Sequence, residues 1–230
     1  MSSINFIGGE KGGVGKSVTA RVLAQYFIDH SRPFTGFDTD RSHSSFTRFY
    51  EGFASPVVVD SFEGLDTVVN GFETNPQQSV IVDLAAQTLA PLSRWIKESD
   101  LFDVFAEIGV TVNFWHVLDD GKDSTELLGS LIDTFGNRPN YIVVQNYGRG
   151  SDFGMLLASQ SLSKATANGA RVIALPRLHE ASMRKIDAQN TSFWKAVNDR
   201  EGSHALGLLE RQRVKSWLAT VYAAFDTLPL

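Results

Sequence analysis

The sequence contains no cysteine. That excludes disulfides, thiolate-held metals or clusters, and cysteine nucleophiles, and it is compatible with a reducing compartment. The five histidines are scattered, with no His-Glu-x-x-His spacing, so a zinc hydrolase has no support. No apolar run approaches the ~18 residues that a membrane-spanning helix needs. The start of the chain has no basic stretch leading into an apolar core, so no secretory leader is expected. A surplus of positive charge is also missing: the net charge is −5. A protein that coats nucleic acid with its whole surface would be basic, so any DNA contact would come from a local patch. Repeats and low-complexity linkers are absent. One α/β domain over residues 1–230, in the cytoplasm, is the expectation.

What the chain does have is a glycine-rich stretch close to its start, Gly8-Gly9-Glu10-Lys11-Gly12-Gly13-Val14-Gly15-Lys16-Ser17. A short apolar run, Ile4 to Ile7, precedes it, and Val18 to Phe27 follows with helical spacing. Strand, glycine loop and helix form the context in which a phosphate loop works. Glycines let successive backbone N–H groups turn toward an anion, because no Cβ intervenes. The helix adds its unsatisfied N–H groups and positive dipole end. Lys16 is placed to neutralise β- and γ-phosphate charge, and the Ser17 hydroxyl to ligate Mg²⁺. The widespread form of this loop has glycine where Glu10 stands, so this is a deviant form with an additional lysine, Lys11.

Three further strands end in polar residues. Phe34 to Phe37 runs into Asp38-Thr39-Asp40, at the strand end where ligands bind in open α/β sheets; a helix cap plus a solvated acid is the plainer alternative. Ser79 to Val82 ends in Asp83, the arrangement in which a carboxylate helps hold Mg²⁺, or else a turn aspartate. Tyr141 to Gln145 ends in Asn146. Val110 to Leu118 is apolar on both faces, as a central parallel strand would be, and Trp115 within it reads as core. The acids Asp119 and Asp120 read as a solvated loop before a helix over 125–135. The remaining helices are expected over 16–30, 42–52, 65–72, 89–108 (one or two), 156–167, 183–189, 192–197 and 204–225. Short strands are expected at 56–60, an edge because of Pro56, and at 171–175. On the last helix Leu208, Leu209, Val214, Trp217, Leu218, Val221, Tyr222 and Phe225 form an apolar stripe.

The run from Lys11 to Ser17, followed in order by Asp38-x-Asp40, Asp83, Asn146 and Leu175-Pro176-Arg177, resembles the ParA/MinD superfamily of dimerising P-loop ATPases. Leu89-Ala90-Pro91-Leu92-Ser93-Arg94-Trp95, Glu107-Ile108-Gly109-Val110 and Arg211-Gln212-Arg213-Val214-Lys215 look like the TraL/StbB-type ATPases of conjugative plasmids. The resemblance implies a doubly wound, mostly parallel sheet flanked by helices, and ATP with Mg²⁺ as ligands. It implies that Gly12, Gly13, Val14, Gly15, Lys16, Ser17 and Val18 cradle the phosphates, and that Ser17 and Asp83 hold the metal. Lys11 would reach the nucleotide of a second protomer, Asp40 would orient the attacking water, and Asp38 would help organise the lysines and metal. Asn146 would read the adenine edge beside the backbone at Pro176. Two departures stand out: Arg41 replaces a usual proline, and no proline follows Asp83-Leu84, leaving Gln87 as a candidate water-positioning group.

By that resemblance the chain is an ATP-dependent homodimer that hydrolyses ATP slowly under the stimulus of a protein partner. Its role would be a switch in DNA partition, plasmid stability, conjugative transfer or intracellular positioning. A basic patch around Arg211, Arg213 and Lys215 would touch DNA phosphates, or else is a solvated helix face. With the loop starting at Gly8, a form without its own operator-binding extension is the expectation. Two other roles of the fold compete: ATP-dependent amidation of a small molecule, and MinD-like membrane recruitment. The latter needs a basic amphipathic tail, and the final residues, 219–230, contain Asp226 and no lysine or arginine, so membrane binding is disfavoured.

Overall fold

Alternating apolar residues and glycine-bounded turns give a chain of β-α units, and in the computed structural model these close into one sheet. The structure describes residues 2–201 and 205–230. The strands are β1 (Ser2–Gly8), β2 (Phe34–Asp38), β3 (Ala54–Pro56), β4 (Ser79–Asp83), β5 (Val110–Leu118), β6 (Asn140–Asn146) and β7 (Arg171–Leu175). Their order is β3-β2-β4-β1-β5-β6-β7. Every pairing is parallel, so the sheet is wholly rather than mostly parallel. The helices are α1 (Lys16–Asp29), α2 (Ser45–Phe49), α3 (Phe62–Thr74), α4 (Leu89–Glu98), α5 (Leu101–Glu107), α6 (Lys122–Phe135), α7 (Gly154–Leu157), α8 (Gln160–Ala167), α9 (Glu180–Ala188), α10 (Phe193–Asn198) and α11 (Leu208–Phe225).

A parallel sheet buries both faces, because the crossover helices cover them. Successive side chains alternate between the two layers. Ile4 and Phe6 of β1 face a layer with Trp95, Phe105, Phe114 and Phe135. Ile7 faces the opposite layer, with Phe27, Trp115, Trp217 and Phe225. Trp115 is fully buried, as expected of core. Its indole N–H donates to the buried side-chain Oδ1 of Asn5 at 3.1 Å, which satisfies the one polar atom of that ring.

Several boundaries differ from the sequence expectations, each for a local reason. The third strand is residues 54–56 rather than 56–60: Pro56 closes it, and its place at the sheet edge is as expected. The polar segment 42–52 forms only the short α2, because Asp40 first closes a turn with the Ser42 and His43 amides. The helix expected over 156–167 is two, since the Ser159 hydroxyl caps a new start by accepting from the Leu162 amide. On α11, Val214, Trp217, Leu218, Val221 and Phe225 are buried as the stripe requires. Leu208 and Leu209 are exposed instead, because the first turn of α11 overhangs the core. The expected start of this helix at His204 lies outside the described residues.

Candidate phosphate-binding site

Because the strands are parallel, their carboxyl ends open on one rim, and β1 lies where the strand order reverses direction. The loop from Gly9 to Gly15 leaves β1 at that point and enters α1. A cleft of about 500 Å³ follows it, lined by Gly12, Gly13, Gly15, Lys16, Ser17 and Val18 on one wall. Asp40 and His43 from the β2 loop, and Leu84 to Ala86 from the β4 loop, line another. The glycines divide by purpose. Gly15 has φ +103, and a Cβ there would lie 2.1 Å from Asn146 Nδ2, so the fold itself demands glycine. At Gly12 an added Cβ would meet nothing within 4 Å, and its φ carries no left-handed requirement. Packing within this chain therefore does not require glycine at position 12.

Lys16 is buried at the base of the loop, with its ammonium donating to the carbonyls of Gly9 and Lys11 at 2.8 and 2.9 Å. Burial lowers its pKa, against the opposing pull of Asp83, Glu10 and Asp40. Asp83 is buried at the end of β4, and neither carboxylate oxygen has a hydrogen-bond partner of regular geometry. Burial pushes its pKa up to about 8; the Ser17 hydroxyl and Lys16 ease ionisation, and Asp38 opposes it. A buried carboxylate without partners is costly unless a cation completes it. Ser17 and Asp83 therefore fit a hard, oxygen-seeking ion. No cluster of three or more His, Cys, Asp or Glu capable of holding a metal occurs among the described residues.

The two acids after β2 have distinct environments. Asp38 is buried and accepts from the Asp40 amide at 3.0 Å and the Thr47 amide at 3.1 Å, holding the turn into α2. Burial raises its pKa despite those bonds. Asp40 faces the cleft, accepting from the Ser42 and His43 amides and pairing with the His43 ring at 3.2 Å. Burial opposes its ionisation, but the amides and ring of His43 and Ser42 outweigh it and hold Asp40 below the ordinary carboxylate range. Gln87 is exposed with φ +62 in the turn after β4.

Asn146 and Pro176 are built into the frame around the loop. The Asn146 side chain donates to the Val14 carbonyl at 2.7 Å and accepts from the Gly148 amide at 2.9 Å, so each end of its amide already holds backbone. The Pro176 carbonyl accepts the Trp217 indole N–H at 2.6 Å, outside the cleft lining. Lys11 sits above the loop and pairs with Asp119 at 2.8 Å. The expected solvated acid after β5 is therefore engaged.

Several residues of the site were not marked by any sequence pattern. Thr39, between the two acids, donates its hydroxyl to the Asp83 carbonyl at 3.1 Å and accepts from the Ala85 amide at 2.7 Å, joining the two loops. Glu10 accepts from the Thr88 and Leu89 amides at 3.1 and 2.8 Å, capping α4 from the phosphate loop. Its standing in place of glycine was the one available signal. Arg21 is buried, stacked 3.5 Å from the Phe49 ring centre, and donates to Asp187 at 2.9 Å. It lines the far end of the cleft with Arg149, Asp187 and Asn190. Its position one turn beyond Ser17 on α1 is the only hint the sequence offers.

No family model matches the sequence. Protein MobD of Acidithiobacillus ferrooxidans is 23% identical over 201 residues, covering 86% of this chain and 87% of that protein. Two proteins TraL of Escherichia coli are 24% and 25% identical over 248 and 233 residues, covering 98% and 94% of this chain and 98% and 93% of their own lengths. Among solved structures, the MinD cell division protein of Aquifex aeolicus aligns over 99% of both chains with a TM-score of 0.55 and 14% identity. A chain of the MinC:MinD cell division protein complex of the same organism aligns over 99% of this chain and 98% of its own, with a TM-score of 0.57 and 12% identity. The chain is thus similar in sequence to TraL and MobD over most of its length, and its fold is that of the MinD structures.

Proposed function

We propose that this chain is a nucleotide-operated switch that binds ATP with Mg²⁺ in the cleft beside α1 and pairs face to face with a second copy. The single observation that carries the reading is the convergence of a glycine loop that lines the cleft, at a position where packing does not require glycine, with Asp83, buried at the end of the neighbouring strand β4 behind Ser17 with no hydrogen bond of regular geometry to its carboxyl oxygens. A triphosphate and its cation would supply partners for both. The backbone amides from Gly12 to Val18 and the dipole of α1 bind phosphate charge. Lys16 exchanges its two loop carbonyls for β- and γ-phosphate oxygens. Ser17 and Asp83 would hold Mg²⁺, which would supply positive charge against the phosphates. Asp40, ionised at the mouth of the cleft, orients the attacking water. Lys11 serves the nucleotide of the partner copy, in the manner of an arginine finger supplied in trans. Loss of the γ-phosphate removes what the β2 and β4 loops hold, and the pair opens.

Hydrolysis alone is slow and a protein partner accelerates it. The kinship with TraL and MobD supports a place in conjugative transfer or plasmid maintenance, with Arg213 and Lys215, exposed on α11, offering DNA a local basic patch. Membrane recruitment through α11 is not favoured, because Val214, Trp217, Leu218, Val221 and Phe225 of its apolar face are buried in the core; among the described residues no helix is long and apolar enough to cross a membrane. Size-exclusion chromatography of wild type and Asp40→Ala with ATP tests the switch. The variant should bind ATP, stay paired and hydrolyse slowly; a variant that binds ATP yet remains a monomer would count against the proposal. DNA stimulation that weakens with salt would support the DNA role.

A further inference from the structure

Lys11 is not free in the single chain. Its ammonium lies 2.8 Å from Asp119 Oδ2, at the end of β5. That carboxylate is itself aimed: its other oxygen accepts from the Ser124 hydroxyl at 2.6 Å and the Gly121 amide at 3.1 Å. The charges of Asp123 and Asp120 add to the attraction and, with the Asp119 bond foremost, raise the Lys11 pKa. Space is shaped for it as well. A Cβ on Gly121 would lie 2.9 Å from Lys11 Nζ, although Gly121, at φ −80 and ψ 152, has a backbone open to any residue. The same Cβ would lie 3.1 Å from Asp119 Oδ1, so a side chain at position 121 would crowd both members of the pair and displace the lysine tip, the more mobile of the two.

We infer that Asp119, with Gly121 beside it, is a positioning residue that holds Lys11 within its own chain and so sets how readily that lysine is released to the nucleotide of a second copy. This rests on the pairing proposed above. A partner's triphosphate must outcompete Asp119 for the same ammonium, so pairing breaks two such contacts, one in each copy. An exposed ion pair of this kind contributes about threefold, and two of them on the order of tenfold, to the equilibrium.

Two variants open the seat by different means. Asp119→Asn keeps the acceptor for Ser124 and Gly121 but removes the charge, and Gly121→Ala keeps the charge but fills the space. The first measurement is the rate at which a water-soluble acylating reagent modifies Lys11 in the nucleotide-free monomer, read by mass spectrometry. The second is the dimer dissociation constant with a non-hydrolysable ATP analogue and Mg²⁺, by sedimentation. Faster acylation with pairing tightened on the order of tenfold in both variants is the expected result, as is pairing by the variants where wild type stays monomeric. Unchanged acylation, or pairing equal to or weaker than wild type, would overturn the role of Asp119 and leave the pairing intact. Should all three proteins bind the analogue and none pair, the pairing itself falls and this inference with it.

Discussion

The Ala85 amide donates to the Thr39 hydroxyl at 2.7 Å, and that hydroxyl in turn donates to the Asp83 carbonyl at 3.1 Å. One small side chain thus ties the loop bearing Asp40 to the loop bearing Asp83. Thr39→Val keeps the shape and removes both bonds. The expected cost is about 1–2 kcal/mol of stability, since Thr39 is buried and the Ala85 amide loses its partner. Amide exchange at Ala85 should quicken by a larger factor than global unfolding predicts. Equal protection in the two proteins would show the loops to be independently held.

Gly12 and Gly15 should respond oppositely to alanine. Gly15→Ala places a methyl against Asn146 at a left-handed backbone position, so the melting temperature should fall by several degrees or the protein fail to fold. Gly12→Ala meets no protein atom, and the melting temperature should hold. Nucleotide affinity, measured by calorimetry, should then drop at least tenfold, because the methyl occupies phosphate space.

Asp83 makes a pH prediction with a definite sign. Its carboxyl titrates near 8 in the folded chain against 3.8 ordinarily, so between those values the folded state holds a proton that the unfolded state has lost. Stability therefore falls as pH rises from about 4 to about 8, by at most a few kcal/mol from this group. Asp83→Asn should remove that component, melting higher than wild type at pH 8 and equally at pH 4. Nucleotide with Mg²⁺ should flatten the wild-type profile, because a cation favours the ionised carboxylate. Parallel pH profiles of wild type and Asp83→Asn would contradict the account.

Glu10 caps α4 from the phosphate loop, giving two orphan amides a charged acceptor. Glu10→Ala should cost about 1 kcal/mol and fray the first turn of α4, seen as faster exchange at Thr88 and Leu89. Glu10→Gln should recover part of that loss. Fraying restricted to the phosphate loop, with α4 unaffected, would show the contact to be incidental.

How much was readable in the chain depended on the range of the interaction. Glycine spacing fixes backbone conformation locally, so the loop from Gly12 to Ser17, the helix after it and the strands ending in Asp38, Asp83 and Asn146 were all legible. Apolar residues on both faces identified β5 as central for the same reason. Thr39, Arg21 and Asp119 were not legible as site residues, since their meaning comes from partners distant in sequence: Ala85, Asp187 and Lys11. The split of α7 from α8 was missed because a capping serine weighs little against a helical pattern. Leu208 and Leu209 fitted the stripe by periodicity, yet periodicity does not say where the core ends.

The shortness of β3 has a consequence for how copies of this molecule can meet. Three residues long and finished by a proline with no amide hydrogen, it offers an arriving strand almost nothing to bond. Growth by backbone zippering is blunted on that flank. Association across that flank would have to be written in side chains, which nucleotide chemistry can rearrange, rather than in a continuous main-chain ladder, which it cannot.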